Sequence, residues 1–300
     1  MNLTKTIEQA KTLEQAKFDF LFVSDSLYLD NKTHPDMFTM FEPISLMSIV
    51  ARETQNLGLI VTGSTSFSEP FSLARIFSSL DHYSNGRAGW NIVTSGINHT
   101  AKNFNGTTNA NHDLRYDQAE EFVNISKQLW DSWRGVNTEH LHAAGGFFSE
   151  KEPEPINYQG EFYSVKGPLN IEASPQGYPL LVQAGSSEKG TEFASKHAEV
   201  VFTAQNDIND AITFAHNLKN KVEQKHGNAH EIVIMPGIFP FIGETREAAE
   251  AQFQELQDLI VPEMGIELLS SYLGDTDLSH YDLNAPVSYT HLRAHETRGN

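Results

Sequence analysis

GRAGWNIVTSGINHTAKNF, residues 86–104, opens as a turn at Gly86, runs through the apolar segment AGWNIVT at 88–94 and ends in polar side chains. A short apolar run bounded by turn residues reads as a strand buried on both faces. The same unit stands before it. Pro70 opens a helical pattern through Leu73, Ile76, Phe77 and Leu80 that Gly86 closes. Pro43 likewise opens a helix, with Gly58 as its stop, and LIVTGST at 59–65 follows as a strand. Upstream, Leu3, Ile7, Ala10, Leu13 and Ala16 share one helical face, and FLFVS at 20–24 is the first strand. Downstream, helical periodicity over 113–133 precedes three more strands, LLVQA at 180–184, EVVFTA at 199–204 and IVIMPGIFPFI at 232–242, with helices between and after them. The Gly- and Pro-containing stretch 134–179 is long enough to mark a functional excursion or disorder, and INYQGEFYSV within it predicts a hairpin turning at Gln159-Gly160.

Six apolar strands spaced by helices make an α/β protein with a parallel sheet, because parallel strands require crossover connections. A doubly wound sheet would announce itself by a G-x-G-x-x-G turn after an early strand, and none occurs. A (β/α) barrel instead gathers functional groups at the C-terminal ends of its strands. Here those ends are polar: Ser24-Asp25, Thr62, Asn91 with Thr94-Ser95, and Ser186-Ser187. The barrel is the architecture these ends favour.

Composition narrows the function. With 300 residues, 39% hydrophobic, the chain can bury one large core or two modest ones. Cysteine is absent, which excludes disulfides, thiolate metal sites and a thiol nucleophile. NLTKTIEQAKTLEQAKF after Met1 lacks the apolar core of a signal peptide, and no later run approaches the roughly 20 apolar residues that span a bilayer. A cytoplasmic protein without membrane contact is expected. The net charge of −18 opposes a polyphosphate backbone, so nucleic acid is not an expected partner.

Five segments, KFDFLFVSDS, GRAGWNIVTS, HDLRYDQAEEF, GPLNIEASPQGYPLLVQAGSSEKG and FASKHAEVVFTA, together resemble the bacterial-luciferase-like flavin monooxygenases, in the branch that holds nitrilotriacetate and dibenzothiophene-sulfone monooxygenases. They lie in order over about residues 13–260. The resemblance implies a TIM-barrel enzyme that takes reduced FMN from a separate NAD(P)H:FMN reductase, through diffusing flavin, and uses O2 to oxygenate a small organic substrate such as a xenobiotic, a sulfone or an aminopolycarboxylate. The oxygen chemistry belongs to the cofactor, so the protein has only to place, shield and hydrogen-bond it. Carried over residue by residue, the FMN contacts fall on Asp25, Thr62, Asn91, His112, Tyr116, Ser186 and Ser187. His112 and Tyr116, four apart, share a face where a helix begins, and Ser187 introduces a helix whose N–H groups favour a phosphate. No catalytic residue and no metal ligand is assigned.

The same residues have plainer roles. Asp25 reads equally as a turn cap, Ser186 or Ser187 as a helix N-cap, and His112 with Tyr116 as helix-start packing, each an alternative to the flavin contact. Trp90 reads as core and stays outside the site. GSSEKGT at 185–191 imitates part of a phosphate loop, but Thr191 stands where the lysine belongs and Lys189 is displaced. His140 with His142, and His226 with His230, fall short of a metal site. TREAAEAQFQELQD reads as a solvated acidic face. The family implies a strand before the first helix and a closing strand after the last, and VSYTHLRAHETRGN at 287–300 has no family counterpart. The expectation is therefore a luciferase-like barrel domain over 1–286 with an insertion at about 134–179, incomplete in its first and last strands, followed by a non-family tail at 287–300 that is either extraneous or an exposed natural end. Open edges leave a homo-oligomer compatible with the sequence. A non-catalytic FMN- or ligand-binding fragment of such an enzyme stays open as the alternative.

Overall fold

Helices and strands alternate along the chain. The elements are α1 (Leu3–Gln15), β1 (Phe20–Val23), α2 (Pro43–Glu53), β2 (Gly58–Ser64), α3 (Pro70–Ser84), β3 (Ala88–Val93), α4 (Asn98–Ala101) and α5 (His112–Asp131), then the short β4 (Tyr158–Gln159) and β5 (Ser164–Val165). They continue through β6 (Leu180–Gln183), α6 (Glu188–His197), β7 (Val200–Thr203), α7 (Ile208–His226), β8 (Val233–Pro236), α8 (Arg246–Asp258) and α9 (Pro262–Tyr272). The computed structural model describes residues 2–29, 40–96, 98–106, 111–136, 151–205, 207–227, 232–272 and 277–278. His140, His142, His230 and the tail 287–300 lie outside the described residues.

Six strands form one sheet in the order β1-β2-β3-β6-β7-β8, parallel at every pairing. The sheet is curled. Phe22 on β1 and Phe202 on β7 have ring centroids 6.3 Å apart, whereas four strand spacings of about 4.8 Å would hold them about 19 Å apart in a flat sheet. Their contact lies on the concave side, where Ile60, Val182 and Val200 are buried with Phe20, Leu180 and Met235 around them. On the convex side the helices cover Leu59, Val61, Trp90, Ile92 and Leu181. Trp90, fully buried, meets Phe77, Phe122 and Trp130 at 5.6, 5.9 and 6.2 Å, and its Nε1 donates to the Gly63 carbonyl at 3.0 Å. A Cβ on Gly63 would stand 2.8 Å from that nitrogen, so the indole seats only against glycine. Among the described residues β1 and β8 each pair on one side alone, and the sheet is open there.

Helix termini follow the sequence signals closely. Pro43 and Pro70 occupy first turns, and α3 ends through Asn85 and Gly86, both at positive φ, with the Gly86 N–H on the Asp81 carbonyl. Gly58 differs from its expected role. It is the first residue of β2, packed so close to β1 that a Cβ would sit 3.0 Å from the Asp19 oxygen, and α2 has already ended at Thr54. Two charged side chains hold that early exit. Glu14 accepts the N–H groups of Gln55, Asn56 and Leu57 at 2.8, 2.6 and 3.0 Å, and Arg87 donates to the carbonyls of Ala51, Thr54 and Leu57.

Two other sequence expectations shift. The hairpin exists, but Gln159 pairs with Ser164, so the turn runs over 160–163 instead of at Gln159-Gly160. The reason is the buried Glu121 carboxylate on α5, which accepts the N–H groups of Glu161, Phe162 and Tyr163 and leaves room for no Cβ at Gly160. The strand expected over 232–242 ends at Pro236. Only the Gly237 N–H extends the ladder, to Thr203, and Ile238, Phe239 and Ile242 are exposed. The acidic helix α8 buries no residue, as a solvated face requires.

Glu14→Ala should lower stability by about 1 kcal/mol, the scale of a lost helix cap. The N–H of Asn56 foremost, then those of Gln55 and Leu57 and the Arg87 charge, hold the Glu14 carboxyl below the usual glutamate value against the opposing effect of burial. Its contribution is therefore present above the unfolded-state pKa and is lost as pH falls through the lower folded-state one. Thermal melts of wild type and Glu14→Ala should separate at neutral pH and converge in acid; coincident melts at neutral pH would remove Glu14 from the clamp.

Candidate functional site

The concave face changes character along the strands. Its N-terminal half is apolar, at Phe20, Ile60, Leu180 and Val200, whereas the C-terminal half presents Thr62, Ser64 and Asn91. Asn91 Nδ2 donates to Thr62 Oγ1 at 2.9 Å, and that hydroxyl donates in turn to the Val23 carbonyl at 2.9 Å. This relay crosses β3, β2 and β1 and fixes the amide's rotation. Asn91 Oδ1, in a side chain 4% exposed, is left with no hydrogen-bond partner among the described residues. An unpaired buried carbonyl costs about 1–3 kcal/mol, so this oxygen is an acceptor open to a donor beyond the described protein groups.

A cavity of about 150 Å³ opens beside the relay, lined by Asp25, Ser26, Thr62, Ser64, Ser95 and Thr100 among others. Burial pushes the Asp25 carboxyl above the usual aspartate value; the Ser26 N–H opposes the shift and the charge of Glu42 adds to it. Ser64 and Ser95 hydroxyls lie 2.7 Å apart, with Ser95 at φ 38°, a left-handed backbone rarely adopted outside glycine. Sequence reading missed Ser26, Ser64, Ser95 and Thr100 as cavity groups. The polar ends of LIVTGST and GWNIVTS were the available signal, but the strand register that aims Ser64 at the cavity is not written in either segment.

A second group of residues gathers where α5 and α6 begin. His112 and Tyr116 lie against each other on one face of α5, their rings tilted by 55° with centroids 5.0 Å apart. Ser187 caps α6, accepting the Gly190 N–H at 3.0 Å, and its Oγ lies 3.5 Å from His112 Nε2. Burial raises the Tyr116 phenol above its usual value, although hydrogen bonds with Ser187 and Thr94 and the Arg115 charge pull the other way. A Cβ at Gly190 would stand 2.9 Å from the Tyr116 hydroxyl and 3.0 Å from Ser187 Oγ, so the cradle closes only around glycine. Strand β3 joins the two groups, giving Asn91 to the cavity side and leading at its end to Thr94 on the cradle side. Ser186 is exposed in the turn before Ser187. Lys189 points away, 3.9 Å from Asp117 on the surface. Trp90 belongs to the convex core, as its aromatic neighbours require.

The residues present fit a phosphorylated flavin. The N-terminus of α6 with Ser187, His112 and Tyr116 supplies the donors and dipole that an anion needs, and the orphaned Asn91 Oδ1 supplies an acceptor for a ring N–H. Among the described residues no cluster of three metal-ligating side chains occurs, and no helix is long and apolar enough to cross a membrane.

A curled parallel sheet, open at β1 and β8 and polar at its strand ends, defines an α/β protein of the half-barrel type. The chain belongs to the luciferase-like monooxygenase family, whose model matches residues 1–296. It is 50% identical over 96% of its length to N-acetyl-S-(2-succino)cysteine monooxygenase of Bacillus subtilis, covering 65% of that protein. It is 36% identical over 93% of its length to nitrilotriacetate monooxygenase component A of Aminobacter aminovorans, covering 64% of it. The chain thus spans just under two thirds of these curated relatives. Among solved structures, a long-chain alkane monooxygenase superposes with a TM-score of 0.88 at 30% identity, over 98% of this chain and 70% of that one. A riboflavin lyase holding a modified FMN and the substrate riboflavin superposes at 0.85 and 30%, over 95% and 66%.

Thr62→Val should test the relay. It keeps β-branching and volume but removes the acceptor of Asn91 Nδ2, so a buried amide loses a partner at a cost of about 1–3 kcal/mol. Thr62→Ser, which keeps the hydroxyl, should recover most of that in urea unfolding; equal losses for both would show that packing, not the hydrogen bond, is what Thr62 supplies.

Proposed function

We propose that this chain is the oxygenating component of a two-component flavin monooxygenase, binding reduced FMN delivered by a separate NAD(P)H:FMN reductase and using O2 to oxygenate a small organic substrate. The observation that carries the reading is the Ser187–His112–Tyr116 cradle, joined through β3 to the unpaired buried acceptor Asn91 Oδ1, whose partner Thr62 lines the cavity. The nitrilotriacetate relative is itself named as one component of a larger system. Carboxylated sulfur and nitrogen compounds figure in the names of the two relatives described above, and such a compound is the substrate class this reading takes. The six strands are then the described part of a (β/α)8 barrel of the luciferase-like type, in a domain over 1–286 with its excursion at about 134–179. The compartment it implies is the cytoplasm, where a diffusing reduced flavin is at hand.

Bound reduced flavin supplies the activation of O2. The protein's residues have other tasks. Ser187 Oγ and the first N–H groups of α6 donate to the phosphate, with His112 alongside and the Tyr116 hydroxyl fixing Ser187. Asn91 Oδ1 accepts from the ring edge, held in place by Thr62. Asp25 keeps its proton to a higher pH than an exposed aspartate and so presents an uncharged carboxyl to the cavity over a wider range. The curled apolar face below excludes water from beneath the site.

His112→Ala and Ser187→Ala should each weaken FMN binding about ten- to hundredfold, the loss of one charge-assisted hydrogen bond. Lys189→Ala should leave it nearly unchanged, because Lys189 faces Asp117. Calorimetric titration with FMN and with NADH, followed by turnover with an added flavin reductase, decides the matter. Tight NADH binding with no response to FMN would overturn the proposal, and FMN binding without turnover for any carboxylated thioether or amine would leave a flavin-binding protein in its place.

A further inference from the structure

FASKHAEVVFTA, the segment of α6 and β7 that the site has not used, places His197 at the far end of the helix that Ser187 begins. Its ring is almost wholly buried, its side chain 6% exposed, between α5 and α6. Lys127 on α5 approaches Nδ1 at 3.3 Å, and Glu120 Oε1 on the same helix lies 3.0 Å from Nε2. A lysine ammonium only donates, so Nδ1 is the acceptor of that pair, and Nε2 is the ring nitrogen on the carboxylate side, close to Glu120 without an aligned hydrogen bond. Lys196 adds a second cation 3.5 Å from Glu120. Burial works to raise the Glu120 carboxyl, but His197 and Lys196 together outweigh it and hold the group below its usual value.

This cluster is physically continuous with the anion cradle. His112, Tyr116, Phe193 and His197 form a column of rings along the seam of α5 and α6, with successive centroids 5.0, 5.7 and 4.9 Å apart. Contacts advance along both helices together, from His112 beside Ser187 through Tyr116 beside Phe193 to Glu120 beside His197, so the two run in the same direction. The cradle is one end of this seam and the His197 cluster the other. The 10 residues of α6 lead from the Ser187 cap to His197, about 15 Å at roughly 1.5 Å per residue, so a pivot of about 4° at the His197 end carries Ser187 about 1 Å. A displacement of that size is enough to spoil a hydrogen bond to a phosphate oxygen.

Resting on the reading of the cradle as a phosphate site, we infer that His197, locked between Glu120 and Lys127, is a positioning residue that sets the angle of α6 on α5 and thereby the FMN phosphate contacts of Ser187 and His112. It touches no ligand. Its influence travels through Phe193 and Tyr116 and falls first on the phosphate contacts, because no residue of the Thr62–Asn91 relay or of the cavity lining lies on α5 or α6.

Riboflavin, which lacks the phosphate, separates this role from a general loss of structure. In titrations of the purified chain with FMN and with riboflavin, His197→Ala should weaken FMN roughly two- to thirtyfold, the range seen for substitutions along a packed network, and leave riboflavin affinity unchanged. Glu120→Gln, at a half-exposed position, should move the ratio of the two affinities the same way by less, and His197→Gln, which keeps a donor for Glu120, should recover part of it. Equal weakening of both flavins, or of neither, by His197→Ala overturns the inference. Ser187→Ala distinguishes the levels: if it collapses the ratio while His197→Ala does not, the inference alone fails, and if it too leaves the ratio unchanged, the phosphate reading of the cradle fails first.

Discussion

Both faces of the middle strands β2 and β3 are buried, and this constraint decides where chemistry can occur. On the convex side Trp90 packs into Phe77, Phe122 and Trp130 over Gly63. On the concave side the sheet curls until Phe22 reaches Phe202. Burying a side chain the size of Trp90 is worth about 3–5 kcal/mol against truncation, more than the about 1–3 kcal/mol that an unpaired Asn91 carbonyl costs one residue further along the same strand. The core can thus carry a polar mouth. With both faces closed, the strand ends and the helix starts that follow them are the positions left to hold a ligand.

Those positions are set by neighbours rather than by the loops alone. Ser187 is a helix cap by its own chemistry, and it becomes a cradle because α5 delivers His112 and Tyr116 to the same place. Asn91 is a polar residue in an apolar strand, and it becomes an oriented acceptor because Thr62 on the next strand fixes its amide. Buried or half-buried charges serve the scaffold in the same manner. Glu14 and Arg87 close the exit from α2, Glu121 holds the turn of the β4–β5 hairpin, and Asp81 receives Gln176 and the Ala88 N–H where the excursion rejoins the sheet. Each carboxylate takes two or three N–H groups that would otherwise be stranded in a connection. An acidic chain built this way places part of its negative charge inside its own turns.

Much of this was legible in the sequence. The six strands, their order along the chain, the proline-led helices and the glycine exit of α3 follow from period, capping and turn chemistry, and the polar strand ends point to the mouth. The likeness of five ordered segments to a known family pointed to Asp25, Thr62, Asn91, His112, Tyr116, Ser186 and Ser187 as flavin contacts, and the structure gathers Thr62 with Asn91 and His112 with Tyr116 and Ser187. Gly58, the Gln159-Gly160 turn and the strand beyond Pro236 were misread for one reason: each boundary is fixed by a partner far away in sequence, Glu14 and Asp19, Glu121, and Thr203 respectively.

By itself the sequence determined the α/β alternation, the parallel sheet, the place of Trp90 in the core and the polar strand ends, because these rest on local periodicity and on the burial of apolar side chains. Tertiary structure alone decided the curl of the sheet, the register that turns Ser64 to the cavity, the orphaned oxygen of Asn91 and the seam of α5 and α6 that ends in His197. Register and helix packing are relations between residues far apart in a chain whose local patterns are satisfied by many such relations. Only packing the whole sheet and its helices at once selects among them.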